Sequence, residues 1–366
     1  MKKINKLAIM IFCFFPLTLL AQEEVFEPQY IKNTMDKAAL WQIEHPKHKP
    51  YDWTNGAFYT GIMAAYETTG NKKLLKAALA MGKETKWIPG ERLRHADDHA
   101  IAQTYIDLYR IKGKEYMIQP FKDSVDKMMS EQPDFNHAIM NMDWWWCDAL
   151  FMAPPAFVKL ANVTNDTKYI TYNDKLWKEC YDQLYDKEED LFARDLNYVI
   201  AGKDTDKREA NGEKIFWSRG NGWVLAGLAK VIEELPKNWE TRPFYIEVYK
   251  EMAARIASLQ RPDGFWKASL LDPESYPDGE TSGTGFYCYA LAWGINNGFL
   301  DKDEYLPVVK KAWTSLSTVV NTEGRVGWVQ PIGQDPRAVS EDSWEVFGTG
   351  AFLLAGSEVI KLEVDN

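Results

Sequence analysis

Apolar residues recur at three- and four-residue spacing along most of the chain, with capping side chains before each run and Gly or Pro after it. Read this way, the sequence predicts helices near residues 28–44, 56–69, 72–86, 97–112, 115–130 and 146–162. Six more follow near 166–184, 221–235, 241–259, 284–298, 303–319 and 348–361. No segment carries the sustained period-two alternation of a sheet strand. The even-numbered helices share an opening that the odd ones lack: Asn55-Gly56-Ala57-Phe58, Asn221-Gly222-Trp223, Thr284-Gly285-Phe286 and Thr349-Gly350-Ala351-Phe352. This is an internal repeat. Small residues continue it, as in Leu225-Ala226-Gly227-Leu228-Ala229, and permit close helix packing; the odd helices are amphipathic and charged, as in Lys72-Lys73-Leu74-Leu75-Lys76. Buried helices alternating with half-exposed ones predict two concentric layers, an all-α (α/α)6 toroid with the even helices inside. An open helical solenoid shares the alternation, but six pairs is the number that closes such a ring.

The loops leading into the inner helices then gather at one mouth, where a pocket is expected. Segments 131–145, 185–220, 260–283 and 320–347 are longer than ordinary connections, as functional loops often are. No low-complexity linker separates them, so residues 22–366 read as a single catalytic domain.

Composition changes this picture at the start of the chain. Lys2, Lys3 and Lys6 precede an apolar run from Leu7 to Leu20 that ends in Leu19-Leu20-Ala21, the pattern of a signal peptide over residues 1–21. The run is short for a membrane span and has no counterpart downstream, so the expectation is a periplasmic or secreted protein without a membrane anchor. Cys13 lies inside the run rather than after a small-residue cleavage box, which argues against lipidation. Cys147, Cys180 and Cys288 remain, an odd number at spacings that suit neither a disulfide framework nor zinc. Without the three leader lysines the formal net charge of −10 becomes about −13, which disfavours nucleic acid and long polyanions as partners. An anionic ligand has to be held locally. The 15 Trp suit the flat apolar faces of sugars or a large aromatic core equally well.

Three clusters carry candidate chemistry. The first is His137 followed by Asp143-Trp144-Trp145-Trp146-Cys147-Asp148 at the start of the sixth helix. Three adjacent indoles cannot all enter one core, and a carboxylate set against indole is desolvated, which raises its pKa and suits a general acid. Asp148 stands where that happens; a simple helix cap by Asp143 or Asp148 is the structural alternative. The second is Asp97-Asp98-His99 at the fourth helix, where either aspartate reads as a first-turn charge or as the partner of Asp148. The third is Phe216-Trp217-Ser218-Arg219-Gly220-Asn221-Gly222-Trp223, a cation between indoles: Arg219 reads as a bidentate carboxylate clamp or as a tie to backbone carbonyls. Arg194, beside Asp195, is a further anion partner. His95, His99 and His137 lack metal-ligand spacing, so no metal is expected. Acyl-transfer, phosphate-loop and dinucleotide motifs are missing, and no cofactor is expected.

Trp146-Cys147-Asp148-Ala149-Leu150-Phe151-Met152, Trp217-Ser218-Arg219-Gly220-Asn221-Gly222-Trp223 and the glycine-aromatic helix openings together resemble glycoside hydrolase family 105, which is related to family 88. The resemblance covers most of the chain after residue 21 and implies a six-hairpin toroid acting on the unsaturated uronic acid that polysaccharide lyases leave at the nonreducing end. It implies hydration of the C4–C5 double bond rather than attack at the anomeric carbon, without a metal, and oligosaccharides from pectin-like or other uronate-containing polysaccharides as substrates, with galacturonate and glucuronate both open. Asp148 matches the family's general acid/base. Asp97, preferred to Asp98 for its distance to the small residue Ala102, matches the second aspartate. His137, Trp146, Trp217, Arg219 and Trp223 match pocket residues. Where some relatives carry a histidine this chain has Arg194, and Asp98 stays a candidate binding residue beside Asp97. Two other readings accompany this one: a sugar epimerase or isomerase on the same toroid, and a noncatalytic glycan-binding protein. Monomer and homodimer are both compatible with the sequence.

Overall fold

The computed structural model describes residues 24–133, 135 and 141–362. Twelve helices carry this part of the chain. In order they are α1 (Pro28–Glu44), α2 (Trp53–Thr69), α3 (Lys72–Glu84), α4 in two pieces (Ala96–His99 and Ala102–Lys112), and α5 (Gln119–Ser130). There follow α6 in two pieces (Ala149–Met152 and Pro154–Thr164), α7 (Lys168–Leu184), α8 (Ser218–Glu234), α9 (Arg242–Ser258), α10 (Thr281–Asn296), α11 (Lys302–Leu316) and α12 (Val346–Val359). The even helices form a closed ring: α2 packs on α4, α4 on α6, α6 on α8, α8 on α10, α10 on α12, and α12 on α2. The odd helices lie outside them, and the fold is an (α/α)6 toroid.

Burial follows the repeat. α10 and α12 are buried along nearly their whole length, whereas α3 buries only Leu74, Ala78, Met81 and Gly82, and α5 only Phe121, Val125 and Met128. The ring is tight because glycines meet backbone: a Cβ on Gly61 of α2 would come within 2.6 Å of the Gly350 carbonyl of α12. At α6 two prolines decide the shape. Pro154 and Pro155 lack N–H groups, which leaves the Leu150 and Phe151 carbonyls without their helical donors. The Gln103 amide of α4 donates to Phe151 O at 2.9 Å, and Gly227 of α8 leaves space against the Leu150 carbonyl.

Five of the inner helices begin earlier than the periodicity predicts, whereas α6, expected from residue 146, begins at Ala149. Asn55 and Asn221 lie inside the first turn, and the start of α2 is set by Asp52, whose carboxylate accepts from Thr54 N at 3.0 Å. The 185–220 segment, expected to be a loop, opens with a small antiparallel hairpin, β1 (Tyr185–Asp186) and β2 (Leu191–Phe192). Asn221 of α8 holds it, accepting from Phe192 N at 2.8 Å and donating to Phe192 O at 3.0 Å. The long segments at this end of the ring are also stitched to one another by single antiparallel bridges, Trp146 with Asp195 and Trp217 with Ser269.

Candidate active site

The bridge between Trp146 and Asp195, with Cys147 N donating to Arg194 O at 2.9 Å, brings the start of α6 against the segment after β2. Asp148 stands just before the first turn of α6 and is buried, yet its side chain makes no capping bond to that helix. The Cys147 thiol donates to Asp148 Oδ1 at 3.3 Å. The first turn of α8 closes over it at Gly220, where a Cβ would sit 3.6 Å from Asp148 Oδ1. Burial raises the Asp148 carboxyl above its ordinary range, and the Arg194 charge opposes that rise.

Asp97 lies in the first turn of α4 with 17% of its side chain exposed. Burial, and then the charge of Asp148, push it up to about 8, so it is neutral at pH 7. Because the Asp148 charge contributes to that rise, the two carboxyls do not both ionise at neutral pH. His95 stands before the same turn, its Nδ1 3.6 Å from Asp97 Oδ2 and its ring 4.5 Å from that of Trp146. Burial, and then the Arg92 charge, push its imidazole down to about 4, so this ring is neutral as well.

Of the three adjacent indoles, Trp144 is buried edge-on against Phe157, Trp146 is buried against His95, and Trp145 keeps a partly exposed face. Arg194 lies over that face at 5.3 Å. Its Nη1 donates to Asp195 Oδ2 at 2.6 Å, while its Nε is buried without a partner among the described residues. The mouth thus combines two carboxyls shifted upward, a neutral histidine, one cation with an unused donor and an aromatic face.

Several expected binding residues make contacts within the protein around the mouth, and Trp217 and Asp148 both lie beside Gly220. Asp98 is turned away from the mouth: Arg92 donates to its two oxygens through backbone N at 2.6 Å and through Nε at 3.0 Å, so the carboxylate pins the preceding loop to α4. Gly90 makes room for it there. Trp223 is a floor residue, fully buried 4.2 Å from Phe286 and 4.8 Å from Phe151. Trp217 is buried and donates from Nε1 to Gln330 Oε1 at 3.1 Å. Arg219 lies between the rings of Trp217 and Phe347, and its Nη atoms donate to the carbonyls of Gln330 and Pro331 at 2.5 and 3.0 Å. It is therefore the tie to backbone carbonyls, although its charge still opposes the upward shift of Asp148. His137 lies outside the described residues. His95 and Trp145 were not singled out from the sequence; the signals were present, a histidine two positions before Asp97 and the middle member of the Trp run. Among the described residues no three His, Cys, Asp or Glu side chains gather to hold a metal.

Residues 29–363 match the model of Glycosyl Hydrolase Family 88. The chain belongs to that family. It is 45% identical to an unsaturated 3S-rhamnoglycuronyl hydrolase of Formosa agariphila, over 99% of this chain and 98% of the relative. A second protein of the same description, from an Alteromonas species, is 40% identical over 90% of this chain and 85% of its own length. Among solved structures, a family 88 glycosyl hydrolase from Bacteroides vulgatus superposes with a TM-score of 0.82 at 33% identity, covering 93% of this chain and 99% of that one. As a member of family 88 the chain is a glycosidase, and the toroid with its buried aspartate is the setting in which its chemistry has to work.

Proposed function

We propose that this family 88 glycosidase removes the 4,5-unsaturated uronic acid from the nonreducing end of lyase-generated oligosaccharides by hydrating the C4–C5 double bond. The observation that carries the reading is Asp148: a carboxyl held above its usual range by burial, in a mouth that also offers a cation. The double bond is an enol ether, so a proton delivered to C4 leaves positive charge shared by C5 and the ring oxygen. Asp148 gives that proton and, as carboxylate, takes one from the water that attacks C5, so that it ends the cycle protonated. The C5 hemiketal opens to a ketone, C1 is left as a hemiacetal, and the aglycone departs with its oxygen protonated. Because water attacks C5, the carboxylate separation that sorts retaining from inverting glycosidases does not bear on this reaction. Asp97, neutral at pH 7, donates a hydrogen bond to the sugar. Arg194, with the Arg219 charge behind it, holds the uronate carboxylate, and Trp145 and Trp146 flank the ring.

The relatives sharpen the substrate. Pectin-like or other uronate-containing oligosaccharides, the rhamnogalacturonan type first, are the expectation from sequence, and both curated relatives are named for a 3S-rhamnoglycuronyl bond. We read 3S as a 3-sulfate on the rhamnose and assign that aglycone to this enzyme. The test follows loss of the ultraviolet absorbance of the conjugated double bond on an unsaturated uronyl 3-sulforhamnose disaccharide and on its rhamnogalacturonan counterpart. The first substrate is consumed faster, and Asp148→Asn lowers the rate by roughly 10²–10⁴-fold, the range of a lost general acid. Preference for the rhamnogalacturonan disaccharide would overturn the assigned aglycone, and failure on both would overturn the reaction.

The leader pattern supports a periplasmic or secreted location, with residues 1–21 removed during export. Intact mass of the exported protein checks this: a chain beginning at Gln22 is expected, and one that keeps Met1 contradicts it.

A further inference from the structure

The aspartates occupy one mouth of the ring; the other mouth holds a second cavity, of about 470 Å³. Its walls come from the C-terminal halves of inner helices, with Glu67 of α2, Asp107 of α4, Lys159 of α6, Lys230 of α8, Tyr289 of α10 and Glu358 of α12. Lys230 lies eleven residues after Arg219 along α8, roughly 16 Å farther down the helix axis at its standard rise. The volume lies within the range of small-molecule sites, about 300–1,000 Å³.

The cations of this cavity are not equivalent. Lys159 Nζ is 2.6 Å from Asp107, Arg110 Nη1 is 2.6 Å from Glu234, and Lys361 Nζ is 2.6 Å from Glu358. Lys32 of α1 lines the cavity without an ion-pair partner among the described residues but is only partly buried, and Lys230 has no such partner either. It is 8% exposed, it lines the cavity, and among the described residues nothing hydrogen-bonds or ion-pairs with its ammonium. Around it are the rings of Phe151 and Tyr289, 6.0 and 5.9 Å away. Burial, and then the charge of Lys159, push its pKa down to about 8 against the opposing charges of Asp107, Glu233 and Glu67, so the ammonium keeps a desolvation cost that no direct hydrogen bond or ion pair offsets and that an anion relieves. Structure alone gives a reason to leave a surface lysine unpaired, but not one that is nine-tenths buried.

The rim narrows the class of anion. Glu67 and Glu233 line the cavity, are exposed, and have no ion-pair or hydrogen-bond partner among the described residues. Their charges repel a compact dianion such as sulfate, but carboxylates accept hydrogen bonds from hydroxyls. A ligand that satisfies both parts has one carboxylate to seat deep against Lys230 and several hydroxyls to present to the rim. We propose that this second mouth binds a monosaccharide acid of the uronate class, with the Lys230 ammonium on its carboxylate and Glu67 and Glu233 on its hydroxyls. The site stands apart from the hydrolytic one and does not depend on the reaction assigned there.

The test is calorimetric titration of the mature protein with D-glucuronate, D-glucose and sulfate. Glucuronate binds at least tenfold more tightly than either of the others; Lys230→Met weakens it at least tenfold, Lys230→Arg retains it, and Arg194→Met at the other mouth leaves it unchanged. Hydrolytic turnover of Lys230→Met equals that of the native enzyme. Absence of binding, binding indifferent to Lys230→Met, or sulfate bound as tightly as glucuronate overturns the proposal. If Lys230→Met does not fold, Glu67→Ala at the rim decides: a hydroxyl-reading site loses glucuronate affinity at least threefold, whereas a merely electrostatic one gains it.

Discussion

Asp97 is a carboxyl that this fold keeps protonated at neutral pH, and that has a stability consequence separate from catalysis. Its pKa of about 8 in the folded chain lies above the unfolded value of roughly 3.9. Between those values the folded protein holds a proton that the unfolded chain has released, so stability falls as pH rises from about 4 to about 8. Asp97→Asn keeps the shape and removes the titration. The variant melts at a higher temperature than the native protein at pH 8.5, the two converge near pH 4, and the variant hydrolyses more slowly. Equal melting differences at both values would show that Asp97 is instead ionised and paired with Arg92, whose Nη2 lies 3.9 Å from Asp97 Oδ2. At this scale the sequence was partly legible. A carboxylate next to indoles could be recognised as desolvated, and Asp148 is buried there. Which of two adjacent aspartates turns inward was not, because that depends on Arg92 and Gly90, which claim Asp98 from the preceding loop.

Elements were read more reliably where burial is total. α8, α10 and α12 are mostly apolar or small and are buried along nearly their whole length, and their openings repeat, so their place inside the ring followed from sequence. Boundaries were missed because the inner helices start on tertiary ties as well as on local caps. Glu280 is one such tie: it accepts from Ser282 N and Gly283 N at the head of α10 and also from Gln330 N, fifty residues on. The same loop then fixes Arg219 through the Gln330 and Pro331 carbonyls. Arg219 had two readings in the sequence, anion clamp and carbonyl tie, and only the path of residues 330–331 separates them. The break within α6 is a counter-example of local legibility. Pro154-Pro155 signals it, yet the periodicity predicts one helix over residues 146–162, and the partner that satisfies the carbonyl the prolines leave free, Gln103 of α4, comes from another element.

At the scale of the molecule the ring is a closure problem. α12 is the last helix in the described chain and the only bridge between α10 and α2, with Gly350 against Gly61 on one side and Ala351 against Gly285 on the other. Its outer face receives α1, where Met35 lies against the space Gly356 leaves. Until α12 is in place, both neighbours expose surfaces made almost entirely of small and apolar residues with no polar alternative, so five hairpins do not amount to five-sixths of a fold. This differs from an open solenoid, in which each repeat leans only on its neighbours and loss of the last one costs about one interface. A chain stopped after Glu345 therefore distinguishes the two. For the closed ring, it loses its cooperative thermal transition, binds a hydrophobic dye strongly and has no hydrolytic activity, while its far-ultraviolet dichroism stays helical. A cooperative transition within a few degrees of the full-length protein would instead mean that the first eleven helices are self-sufficient and that α12 only completes the mouth.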